Sequence, residues 1–281
     1  MKNILITTDF SICAANAVDF AVQSAKYLKS NLILIHSFES SGSLYTDYQG
    51  VNTEFNQSLF LQAEQKLNDL KKEILQQDGI SVEGYVYKGS LNEALTQAVT
   101  EKNIDLIIMG TSGASGIKEK FRGSKTADVM GKCKIPVMAI PIEYKWKKPE
   151  KILMAINNLL DEEIKLDFLF EIALFFEAQV EVAVFTDDEK DTAITYLENT
   201  RKIPRYERML KEQYHAETLT VTHFFGHEFE KTMKDYIGQN EIDILAMIIH
   251  KRKFPDSLFH PSLTKQMAYH TKIPLLSIPA N

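Results

Sequence analysis

Apolar residues along this chain follow two periods in alternation. Ile4 to Thr8 is a short, mostly apolar run and predicts a strand. Ala14, Ala17, Val18, Ala21 and Leu28 then recur at helical spacing, and Leu32 to Ile35 predicts a second, buried strand. Phe55, Leu59, Ala63, Leu67, Leu70 and Ile74 fall three or four apart, the stripe of an amphipathic helix. Val82 to Tyr87 alternates as a strand, and Leu91, Ala94, Leu95 and Ala98 make the next helix. The run from Asp105 to Met109 reads as a strand buried on both faces, Ser124 to Lys132 as a helix, and Val137 to Ile140 as a last strand. Strands alternating with helices imply an α/β fold, a doubly wound parallel sheet with helices on both faces. Ser40 to Asn52, polar and containing glycine, reads as a loop.

The pattern then repeats. Lys134-Ile-Pro136 recurs as Lys272-Ile-Pro274, an offset of 138 that also carries Asn103-Ile-Asp105 onto Glu241-Ile-Asp243 and Pro141 onto Pro279. Near the start of each half, the segment from Lys2 to Asp9 parallels Glu150 to Asn157 at an offset of 148. An indel must separate the two offsets. A repeat of this length is a whole domain rather than a solenoid unit. Two tandem domains are expected, residues 1–145 and 149–281, joined by a charged linker, Glu143 to Pro149.

Composition adds exclusions. The 281 residues are enough for two cores, and the net charge of −6 gives no electrostatic case for nucleic acid or an anionic membrane surface. No apolar stretch approaches the roughly 20 residues of a membrane span, and the N-terminal run is too short for a signal peptide. Two cysteines, Cys13 and Cys133, fit a reduced compartment, and a cytoplasmic location is expected.

The candidate chemistry lies between the strand ending at Met109 and the helix that follows. Gly110-Thr-Ser-Gly113, then nine residues, then Gly123-Ser124 places glycines at a strand-to-helix turn. Glycines let backbone N–H groups approach a phosphate, and the helix N-terminus favours negative charge. Asp9 follows the first strand, where ligands of open parallel sheets bind. It can accept hydrogen bonds from ribose hydroxyls or an adenine amino group, or it can cap the following helix. Ser124 can serve a phosphate, cap its helix, or both. Of the basic residues Lys118, Lys120, Arg122 and Lys125, the last is best placed for phosphate. The P-loop, dinucleotide and nucleophile-elbow motifs are all missing, and no catalytic set or metal site can be assembled. Cys13 reads as a small helix-face thiol.

The G-x2-G-x9-G-S run, Thr8-Asp9-Phe10-Ser11 after the first strand, His36 closing the second, and the terminal strand Ile135 to Pro141 together resemble the universal stress protein family. The resemblance covers the whole first half and the frame of the second. It implies a five-stranded parallel sheet in the order 3-2-1-4-5 and binding of ATP, or AMP or ADP, with magnesium as a further candidate. Asp9 would contact adenine or ribose, Thr7 and Ser37 would line the pocket, and Met109 would lie beside the adenosine. Gly110, Gly113, Gly123, Ser124 and the Lys125 backbone would hold ribose and phosphates. Pairing through the last strands, Val137 to Ile140 and Leu275 to Ile278, would make the two domains an intramolecular pseudo-dimer, with a homodimer as the other assembly. A role in stress response or signalling follows. A slow ATPase or phosphoryl or nucleotidyl transferase, and a scaffold that holds no nucleotide, are the competing functions.

The second half departs from the motif. The offset of 138 turns Gly110 into Ile248, Gly113 into Lys251 and Gly123 into Pro261, keeping Ser262, and Asp9 becomes Asn157. No nucleotide is expected there in the family's manner. Six of the seven histidines lie in this half, read as scattered surface residues. His250, Lys251, Arg252, Lys253 and His260 are the alternative reading, a candidate anion site in place of the glycine loop. His223 and His227 are too far apart on a strand to share a metal.

Overall fold

The computed structural model describes residues 1–39, 51–111, 125–156, 159, 166–189, 191–249, 267 and 271–280. They form two compact units, Met1–Gly110 and Thr111–Asn281.

The first unit runs β1 (Asn3–Thr7), α1 (Ile12–Leu28), β2 (Asn31–Phe38), α2 (Val51–Asp78), β3 (Val82–Lys88), α3 (Leu91–Lys102) and β4 (Leu106–Thr111), whose last residue opens the second unit. Its strands are parallel in the order β3-β2-β1-β4. β1 is therefore central, and Ile4, Leu5 and Ile6 are wholly buried. Ser11 caps α1 by accepting the Ala14 N–H at 3.2 Å, and the helix buries Ala14, Ala17, Val18, Ala21, Ala25 and Leu28. Ser90 and Glu93 close a reciprocal capping box at the start of α3. Val51 and Asn52, expected in a loop, are helical: α2 begins at Val51, with Glu54 in its first turn facing the positive end of the helix dipole. Residues 40–50 lie outside the described residues.

The second unit contains α4 (Lys125–Lys132), β5 (Val137–Pro141), β6 (Lys151–Ile156), α5 (Asp167–Phe176), β7 (Gln179–Asp187), α6 (Ala193–Tyr214), β8 (Thr220–Gly226), α7 (Phe229–Gln239), β9 (Ile244–Ile249) and β10 (Leu275–Pro279). Its strand order is β5-β10-β9-β6-β7-β8. β10, β9, β6, β7 and β8 are parallel and repeat the order 3-2-1-4-5. β5 joins β10 antiparallel, Met138 opposite Leu276, and the buried Ser277 Oγ donates to the Val137 carbonyl at 3.1 Å. The last strands of the two repeats thus pair with each other, as the family pattern implies. Thr111, at the end of β4, accepts the Ile142 N–H just past β5.

Strand register locates the indel. Ile4 pairs with Leu106 where Ile152 pairs with Ile244, and Asn3 pairs with Asn31 where Lys151 pairs with Gln179. The offset of 148 therefore holds through the second strand of each repeat. Ile33 pairs with Glu83, but Glu181 pairs with Thr220, so the offset has dropped to 137 by the third strand. The missing residues belong to the connection between those strands.

The same anchor is built twice. Asp105 Oδ2 accepts the Lys2 and Asn3 N–H groups at 2.5 and 3.0 Å, and Asp243 Oδ2 accepts those of Glu150 and Lys151 at 2.7 and 3.0 Å. Each carboxylate, just before a fourth strand, satisfies the opening N–H groups of a first strand. Asp243 is buried and ion-paired with Lys147 of the linker. The linker packs onto the second unit. Tyr144 is buried, and Trp146 lies 6.2 Å from the Phe176 ring. Burial, and then the Asp243 charge, push the Tyr144 phenol up to about 12. Asp243→Ala strands two N–H groups and the Lys147 charge. It is expected to lower stability by about 2–4 kcal/mol in urea unfolding, with Asp243→Asn intermediate because its carbonyl still accepts.

Candidate functional site

β1 lies between β2 and β4. The chain leaves β1 toward β2 through α1, but reaches β4 by crossing back from β3 through α3. The connections diverge at the β1–β4 boundary, the place where open parallel sheets leave a crevice at their carboxyl ends. Ile6 pairs with Ile108, so Thr7 and Met109 follow side by side, and Ser37 is the next-to-last residue of β2. Thr7 and Ser37 are half-buried, Met109 is buried, and Asp9 is exposed.

Asp9 does not cap α1, because Ser11 does. Instead Asp9 Oδ1 accepts the Ser11 N–H at 3.0 Å in an Asx-type turn. Its Oδ2 has no hydrogen-bond partner among the described residues. The turn is tight. Thr8 donates its N–H to the Ile35 carbonyl at 2.9 Å, and its Oγ1 accepts the Phe10 N–H at 3.0 Å. Phe10 sits at φ 61°, in the left-handed region. For a bulky residue that is a strained backbone, of the kind found at functional turns. The His36 ring packs 4.8 Å from the Phe10 ring, and its Nδ1 lies 2.8 Å from the Thr8 carbonyl, to which it donates.

Gly110 has a role that sequence reading missed. A Cβ there would lie 2.2 Å from the Cys13 carbonyl oxygen and 2.6 Å from its carbon. The end of β4 lies directly against the first turn of α1, and only glycine permits that approach. Cys13 itself is half-buried, and burial, followed by the Asp9 charge, pushes its thiol up, away from nucleophilic use.

The structure brings Thr7, Asp9, Ser37, Met109 and Gly110 to one end of the first unit's sheet. Lys125 opens α4 in the second unit. Gly113, Gly123 and Ser124, and with them Lys118, Lys120 and Arg122, lie outside the described residues. No group of three or more His, Cys, Asp or Glu side chains among the described residues is placed to hold a metal. None of the described helices is long and apolar enough to cross a membrane.

The universal stress protein family model matches residues 1–141. The chain belongs to the universal stress protein family. A universal stress protein of Methanocaldococcus jannaschii is 30% identical over 154 residues, covering 50% of this chain and 94% of the relative. One from Thermus aquaticus is 28% identical over 140 residues, covering 50% and 98%. The crystal structure of a universal stress protein from Archaeoglobus fulgidus is similar across 99% of this chain and 98% of its own, with a TM-score of 0.73 at 15% identity. That likeness shows the fold across both repeats.

This universal stress protein fills the corresponding place in its second repeat with apolar side chains. Register carries Thr7, Thr8, Ser37, Met109 and Gly110 onto Ala155, Ile156, Phe185, Met247 and Ile248, all at most 2% exposed. Phe185 meets the Phe229 ring edge-on at 5.1 Å. Asn157 lies outside the described residues, as do residues 250–266, which hold the alternative anion site.

His223 is not the surface residue that the sequence suggested. It is half-buried, stacked 4.6 Å from the Tyr196 ring, with Nε2 2.8 Å from Thr186 Oγ1 and Nδ1 3.0 Å from Thr200 Oγ1. His227 lies beyond β8, beside Asp188 at 3.4 Å. The signal available in the sequence was its place on β8, whose alternation turns His223 toward α6.

Two outcomes follow. Gly110→Ala forces β4 and α1 apart and is expected to lower stability by about 1–3 kcal/mol in the ligand-free protein, read by thermal unfolding. Burial lowers the His223 pKa below its ordinary 6.5. The unfolded chain therefore takes up this proton at higher pH than the native one. The stabilisation is complete above about 6.5 and is lost as pH falls through the native value. Urea unfolding at pH 7.5 and 5 is expected to show the advantage of wild type over His223→Gln shrinking at the lower pH.

Proposed function

We propose that this chain binds an adenine nucleotide, ATP first, in its first repeat, and acts as a nucleotide-responsive stress or signalling protein. The observation that carries the reading is the meeting of Asp9, Thr7 and Met109 at the β1–β4 switch point, on a strained turn. The Asp9 carboxylate has one oxygen without a hydrogen-bond partner among the described residues. This acceptor suits ribose hydroxyls or an adenine amino group, and the Thr7 hydroxyl and Met109 side chain suit the rest of a nucleoside. Gly110, Gly113, Gly123, Ser124 and the Lys125 backbone hold ribose and phosphates in this reading, through N–H groups that glycines and a helix start make available. The repeats are taken as residues 1–145 and 149–281. The second holds no nucleotide, because buried apolar residues stand where the first has polar ones, and its role is structural or regulatory. The β5–β10 pairing makes the two repeats a pseudo-dimer in this reading.

Purified protein, denatured and analysed by mass spectrometry, is expected to release about one adenine nucleotide per chain, lost in a Gly113→Val, Gly123→Val variant. Two per chain would overturn the reading of the second repeat. None, with no ATP binding on titration, would leave the scaffold reading. Asp9→Ala is expected to weaken ATP binding about tenfold or more by calorimetry, the worth of a charge-assisted hydrogen bond.

A further inference from the structure

We propose that His36 is a positioning residue for Asp9, gripping the chain on both sides of that carboxylate. The inference rests on the nucleotide reading for its function, though not for its geometry. His36 comes from β2, a different strand from the one that leads into Asp9. Its Nδ1 donates to the carbonyl of Thr8, the peptide group that enters Asp9, at 2.8 Å. Its ring packs on Phe10, the residue that leaves Asp9, at 4.8 Å. Between those two holds the backbone is in its least comfortable state, with Phe10 at φ 61°. A non-glycine residue stays there only when its surroundings over-determine it. The Thr8 N–H on the Ile35 carbonyl ties the entry of the turn to β2, and Lys66 of α2 lies 5.7 Å from the Phe10 ring centre. Within the turn, the Thr8 hydroxyl on the Phe10 N–H and the Asp9 carboxylate on the Ser11 N–H oppose relaxation. Both of these last bonds are local, with donor and acceptor two residues apart, so neither fixes the turn beyond the Thr8 N–H against the sheet. His36 does, and β1–β2 pairing up to Thr7 opposite Ile35 keeps its own backbone in place.

The second repeat supports this from within the same chain. Where the first has Thr8 and His36, the second has Ile156, with no hydroxyl to hold the turn, and Val184, with no ring and no side-chain N–H to donate, both buried. Asp9 itself becomes Asn157. The repeat that lost the carboxylate has also lost the side chains that aim it. Donation from Nδ1 also fixes the tautomer of the neutral ring, leaving Nε2 as the acceptor. What His36 supplies is one directed N–H and one ring face.

Those two contributions can be separated in the full-length protein. His36→Phe keeps a ring beside Phe10 but removes the donor. His36→Asn keeps an N–H where Nδ1 stood but removes the ring. Amide hydrogen exchange of Phe10 and Ser11 in the ligand-free protein reads the turn, and ATP titration reads the site. His36→Phe is expected to speed exchange at both amides about fivefold or more and to weaken ATP binding by about five- to tenfold, the worth of one hydrogen bond. His36→Asn is expected to recover most of both, the shortfall being the contribution of the ring. In an Asp9→Ala background, His36→Phe is expected to change ATP affinity no further, because it acts through Asp9. Unchanged exchange in His36→Phe would overturn the proposal. So would equal losses of ATP affinity with and without Asp9, or His36→Asn failing as His36→Phe does. If exchange responds as expected but wild type binds no ATP, the nucleotide reading fails and the clamp on the turn stands.

Discussion

The pairing of β1 with β4 is the constraint on which the first repeat depends. The two strands are separated by two others in sequence and meet only because the chain crosses back over the sheet. Asp105 pins the opening end of that pair by taking the N–H groups of Lys2 and Asn3, where β1 begins. With one end fixed, parallel register delivers Thr7 beside Met109 at the other, and Gly110 against the start of α1. A slip of one residue would turn every side chain of β1 to the opposite face of the sheet. The anchor lies at one end of the strands and the candidate chemistry at the other, so the length of two buried strands transmits position between them.

The second repeat shows what the frame does when the chemistry is removed. Its anchor is intact, with a buried Asp243 on the same two N–H groups and a lysine from the linker added. Its strand order is unchanged. The carboxyl ends differ, where Ala155, Ile156, Phe185 and Ile248 close up what is polar or open in the first. Apolar burial at this edge stabilises the repeat, whereas the first repeat leaves an exposed carboxylate and a strained Phe10 at the same place. That difference is the usual one between a residue set chosen for packing and one chosen for a ligand.

Much of this was legible in the residue pattern. Short apolar runs alternating with helical stripes determine strands and helices, and the recurring Lys-Ile-Pro and Ile-Asp segments expose the repeat. Asp9 and Gly110 could be found because chemistry in parallel sheets collects just after strands. What could not be read depends on partners far along the chain. Gly110 points to a phosphate loop in sequence, yet its nearest neighbour is the Cys13 backbone, which no local pattern indicates. Asp9 offered helix capping as one of its two readings, and the cap proved to be Ser11, two residues on, because the turn consumes Phe10 between them. His36 closed a strand without a visible task. His223 read as a surface histidine because its partners, Thr186, Tyr196 and Thr200, come from two other elements.

The antiparallel join of β5 to β10 bears on how such a chain can evolve. When two separate copies of one gene product meet at a shared edge, every substitution appears on both sides, and neither half can change its task alone. Here the two edges belong to one polypeptide, and each is encoded separately. One repeat could therefore trade its polar rim for Phe185 and Ile248 while the other kept Asp9. Fusion of the two copies breaks their symmetry at the level of heredity, and a specialised pair becomes accessible by single mutations.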